Sequence, residues 1–91
     1  MISITISNTD SQDLFVQVWD LNQPGSPQVL NSRINQGSSQ SLQVQDGSDT
    51  KGNINWAALA ANNPTPGQVP TTSQATPSDG DTVNVTTWQP Q

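Results

Sequence analysis

The sequence predicts an all-β fold: a small antiparallel β-sandwich. Apolar and polar residues alternate at period two in several segments, turn residues recur about every ten positions, and no segment carries the 3.6-residue period of an amphipathic helix. Its 91 residues fit one domain, 1–91, with a single small core.

The strongest segment is Leu14–Asp20, Leu-Phe-Val-Gln-Val-Trp-Asp. In an extended strand successive side chains point to opposite faces, so Leu14, Val16 and Val18 share one side and Phe15, Gln17 and Trp19 the other. The first side is core; the second needs a cover or a ligand. Ahead of it, Ile2, Ile4 and Ile6 alternate with Ser3, Thr5 and Ser7, a strand with one dry and one wet face. The polar residues 8–13 between them read as a turn, which makes the two strands antiparallel neighbours.

Pro24-Gly25 suits a type II turn, because proline presets φ and glycine accepts a positive φ. Residues 28–35 place Val29 and Arg33 on one side and Leu30 and Ile34 on the other, a mixed pattern that suits an edge strand. Gln36-Gly37-Ser38 turns the chain into a strand in which Leu42 and Val44 alternate with Ser41, Gln43 and Gln45. A glycine-bracketed loop, 46–52, follows. Residues 53–59 put Ile54, Trp56 and Ala58 on one face and Asn55, Ala57 and Leu59 on the other. The alanine-rich 57–61 has helix propensity, so the strand is expected to run through Ala58 and be followed by one helical turn.

Residues 62–81 carry prolines at 64, 66, 70 and 77 and form a long loop, expected to hide a short edge strand near 68–74. Asp79-Gly80 is a turn dipeptide. The last strand, 82–88, sets Val83, Val85 and Thr87 against Asn84, Thr86 and Trp88, and 89–91 is a frayed tail. With roughly six or seven short strands and one long Pro-rich loop, the sandwich is immunoglobulin-like or C2-like in general shape.

Composition narrows the function by exclusion. The net charge is −5, from seven Asp against Lys51 and Arg33. Nucleic acid requires several cations to displace phosphate counterions, so it is excluded, and an anionic membrane surface is disfavoured. No stretch approaches the roughly 20 apolar residues of a membrane span, and no signal peptide is visible. The chain is expected to remain in the cytoplasm or to be exported without a leader. His, Cys, Tyr and Glu are all missing, which removes most general bases and nucleophiles. The protein is therefore read as not an enzyme. Asp10, Asp13, Asp20, Asp46, Asp49, Asp79 and Asp81 all lie in or beside polar turns, where carboxylates hydrogen-bond local backbone.

No cofactor is expected, with calcium as the one exception to weigh. Asp46 with Asp49, and Asp79 with Asp81, are the carboxylate pairs that would ligate it, although neither fits the EF-hand loop. Asn84-Val85-Thr86 matches a glycosylation sequon in form only.

Trp56 shares a face with Ile54 and is assigned to the core. Trp19 and Trp88 sit opposite apolar faces and are assigned outward. An outer aromatic flanked by amides and carboxylates suits a sugar, with the ring stacked and the hydroxyls hydrogen-bonded. The expected ligand-binding set is thus Trp19, Asp20, Asn84 and Trp88, and the expected partner a glycan. The alternative is a structural or protein-interaction domain that forms a homo-oligomer through the Phe15 and Trp19 face. In composition, with Asn, Gln, Ser and Thr outside many short strands, the chain resembles small β-sandwich lectins and accessory domains.

Overall fold

The computed structural model describes residues 1–61 and 72–86. Within them the elements are seven strands: β1 (Ile2–Asn8), β2 (Leu14–Asp20), β3 (Gln28–Ile34), β4 (Ser39–Val44), β5 (Ile54–Ala60), β6 (Ser73–Ala75) and β7 (Thr82–Val85). They form two packed sheets, a three-stranded one in the order β4-β1-β7 and a four-stranded one in the order β3-β2-β5-β6. The fold is a small all-β sandwich. Every pairing is antiparallel except that of β7 with β1.

The core lies between the sheets, where the period-two pattern puts it. Ile4 and Ile6 of β1, Leu14, Val16 and Val18 of β2, Val44, Ile54, Ala58 and Val85 are all buried. Trp56 is half-buried and packs against this cluster.

Several expectations are corrected. Strands β1 and β2 are not neighbours in one sheet: residues 9–13 carry the chain from one sheet to the other. The reason lies in Asn8, which is buried. Its Nδ2 donates to the carbonyls of Gln12 and Ile34, each at 2.9 Å, and its Oδ1 accepts the Asp10 N–H. The helical turn after Ala58 is absent, because β5 pairs with β2 through Ala60. Partner hydrogen bonds outweigh a propensity worth only tenths of a kcal/mol per residue. In β3 the register slips opposite Val18 and Trp19, where Val18 faces Leu30 and Trp19 faces Gln28. Val29 is thus an extra residue, a β-bulge, and both Val29 and Leu30 pack on the core. That accounts for the mixed pattern of this edge strand.

The turn at Pro24-Gly25 is present, with Ser26 N–H donating to the Gln23 carbonyl at 3.0 Å and Gly25 at φ 79°. A short edge strand does occur inside the Pro-rich stretch, but as β6 at Ser73–Ala75, at the far end of the expected 68–74, of which 68–71 lie outside the described residues. Residues 62–71 of the expected loop, Thr87, Trp88 and the tail lie outside the described residues.

Candidate functional site

The outer face of the four-stranded sheet is built from the second parity of β2. Phe15, Gln17 and Trp19 point away from the core, and the register sets a neighbour on each side of every one. Phe15 lies between Arg33 and Leu59, Gln17 between Asn31 and Ala57, and Trp19 between Gln28 and Asn55. Asn55 in turn faces Gln74 of β6. The result is a row of two aromatic rings with an amide between them, flanked by Arg33, Asn31 and Gln28 on β3 and by Leu59, the buried Ala57 and Asn55 on β5.

Phe15 is 45% exposed, whereas Trp19 is half-buried. Arg33 is anchored next to Phe15: its Nη2 reaches Asp13 Oδ2 at 2.7 Å and its Nε donates to Asn35 Oδ1. The other Asp13 oxygen accepts the Gln36 N–H at 2.8 Å, which fixes the carboxylate that holds the arginine.

Of the residues expected to bind ligand, the described ones, Trp19, Asp20 and Asn84, are not brought together into one site. Trp19 is on this face. Asn84 is exposed on β7 and pairs with Ser7, on the outer face of the other sheet. Trp88 lies outside the described residues. Asp20 is fully buried, and this corrects its expected role. Its Oδ1 accepts the Asn22 N–H at 3.1 Å, and its Oδ2 accepts Gln23 Nε2 at 2.7 Å and the Gln45 N–H at 2.8 Å. A carboxylate so enclosed joins the end of β2 to the residue after β4 and has no surface to offer a ligand.

The expected calcium ligands are all engaged with the chain. Asp46 Oδ1 lies 3.1 Å from the Met1 amine. The hydrogen bond from that amine, a bond to its own backbone and the amine's charge hold the Asp46 carboxyl below its usual range. Asp49 accepts the Lys51 N–H, Asp79 the Ser3 N–H and Asp81 the Ser78 N–H. Among the described residues no three acidic side chains gather in a group able to hold a metal.

Gln17, Asn31, Asn55 and Gln74 were not singled out from sequence. The parity of Gln17 between Phe15 and Trp19 was a usable signal, but Asn31, Asn55 and Gln74 reach this face only through strand register. Among the described residues no helix is long and apolar enough to cross a membrane. No family model, no curated protein and no solved structure matches the chain.

Proposed function

We propose that the protein is a non-enzymatic binding module that takes a glycan along the outer face of the four-stranded sheet. The observation that carries this reading is the alignment of Phe15 and Trp19 on one strand face, with Gln17 between them and Asn31 and Asn55 beside them. Four residues of extended chain separate the two rings by about 13 Å, a span suited to non-adjacent sugar rings of one chain. Stacking on the aromatic faces supplies apolar contact, and the amides supply donors and acceptors to hydroxyls. A glycan array followed by tryptophan fluorescence titration, with and without calcium, tests it. A saturable response that Trp19→Phe abolishes is expected; no response to any sugar under either condition overturns the reading.

The second reading is self-association through the same face, favoured by the 45% exposure of Phe15. Sedimentation velocity separates the two. A concentration-dependent dimer that Phe15→Ser dissolves supports association, and a strict monomer removes it.

A further inference from the structure

At the end of the four-stranded sheet nearest Trp19 lies a polar cleft of about 270 Å³. Its lining residues come from three places in the chain: Asn22 after β2, Ser48, Asp49, Lys51 and Asn53 ahead of β5, and Thr76 after β6. The cleft meets the sheet face at Asn53. Trp19 faces Asn55 and Asn55 faces Gln74, whose Nε2 donates to Asn53 Oδ1 at 2.8 Å. The Asn53 carbonyl accepts the Leu21 N–H at 2.8 Å, which extends the β2–β5 pairing past Ile54.

The cleft is preformed. Gly47 N–H donates to the Lys51 carbonyl at 2.8 Å, Thr50 N–H to the Gly47 carbonyl at 3.0 Å, and Gly52 N–H to the Pro77 carbonyl at 2.8 Å. Asn22 Nδ2 donates to the carbonyls of Gln45 and Lys51. Thr50 is held at φ 64°, a conformation β-branched residues rarely adopt and one that is kept only where the surroundings over-determine it. A loop tied at this many points does not need to be ordered by its ligand, which removes part of the entropy cost of binding.

We infer that this cleft is the end subsite of the sheet-face site and takes a single neutral sugar residue at a chain terminus. The inference rests on the glycan reading above. The volume falls just below the roughly 300–1,000 Å³ of pockets for larger ligands, so it admits one small ring. Asp49 and Lys51 contribute one charge of each sign, leaving the lining without net charge. The net charge of −5 on the whole chain works against anionic ligands. Among the described residues the Lys51 ammonium makes no ion pair and is available as a three-fold donor. The second Asp49 oxygen is an acceptor, and the hydroxyls of Ser48 and Thr76 serve as either. A mixed set of this kind matches the alternating donor and acceptor capacity of sugar hydroxyls.

Isothermal titration with manno-, chito- and cello-oligosaccharides of one to six units, on the full chain and on Asp49→Asn, Lys51→Gln and Trp19→Ala, tests the assignment. Asp49→Asn keeps the oxygen that accepts the Lys51 N–H, so the loop is retained. For the sugar bound, each cleft variant is expected to weaken affinity roughly tenfold to a hundredfold, the loss of one charged hydrogen bond. Trp19→Ala also weakens binding of chains longer than one unit. If the cleft variants bind as the parent does while Trp19→Ala weakens binding, the cleft inference falls and the sheet-face reading stands. If the cleft variants weaken binding and Trp19→Ala does not, the cleft binds sugar by itself, and both the sheet-face reading and the assignment of the cleft as its end subsite fall. No heat with any sugar overturns both.

Discussion

Asp20 Oδ2 accepts the backbone N–H of Gln45 at 2.8 Å, and through this one bond the end of β2 in one sheet is tied to the end of β4 in the other. Asn8 makes the equivalent tie at the opposite end of the sandwich, donating to the Ile34 carbonyl at the end of β3. Each of these polar residues ends an apolar period-two series, and each is fully satisfied.

Replacing Asp20 by Ala leaves the Gln45 and Asn22 N–H groups and Gln23 Nε2 without their acceptor in a partly buried setting. A loss of roughly 2–4 kcal/mol of stability is expected. Urea unfolding should show a lower midpoint with an unchanged slope.

Asn8→Asp preserves shape and removes both N–H donors, placing a carboxylate against the carbonyls of Gln12 and Ile34. The expected loss is about 2–4 kcal/mol at neutral pH. Thermal unfolding measured beside Asn8→Ala checks it, and the carboxylate variant should be the less stable of the two.

Gly52 sits where a Cβ would lie 2.9 Å from Val44 Cγ2 and 3.3 Å from Ile2 Cδ1. Gly52→Ala therefore overpacks the core, with an expected loss of about 1–3 kcal/mol. Gly37, at φ 75° with nothing within 4 Å of the same added atom, carries only the backbone penalty of about 1 kcal/mol. Parallel chemical denaturation of the two alanine variants should rank them in that order.

The Asp46 carboxyl has its pKa lowered by the hydrogen bond from the Met1 amine, by its own backbone and by the amine's charge. A carboxyl of lowered pKa adds stability above its ordinary value of 3.8, and that contribution is lost as pH falls through the lower folded value. Acetylation of the amine removes its charge and leaves a single neutral amide N–H as donor, which weakens the first cause and removes the third. A carbon-detected NMR titration should then show the Asp46 titration moving upward.

Much of the fold was legible because period-two alternation and turn chemistry are local. Ile2, Ile4 and Ile6, and Leu14, Val16 and Val18, declare their inward face within a few residues. The same parity extends to Asn8 and Asp20, so their burial was open to reading. A polar residue at the end of an apolar series reads as a turn until the crossing between sheets is known. Which sheet a strand joins depends on partners distant in sequence. For that reason β1 and β2 fell to different sheets, β7 ran parallel to β1, and the alanines of β5 stayed extended. The expected site suffered from the same blindness. Trp19 and Asn84 both point outward, but from opposite sheets, and only register could bring Asn31, Asn55 and Gln74 to the side of Trp19.

The central claim is that binding occurs on the outer face of the four-stranded sheet. Amide chemical-shift mapping, with the oligosaccharide that scores highest on the array, tests it most directly. The amides of Phe15, Gln17, Asn31 and Asn55 are expected to move while those of Thr5, Ser41 and Thr82, on the outer face of the other sheet, stay in place. Shifts confined to Thr5, Ser41 and Thr82, or no shift at saturating sugar, would contradict it.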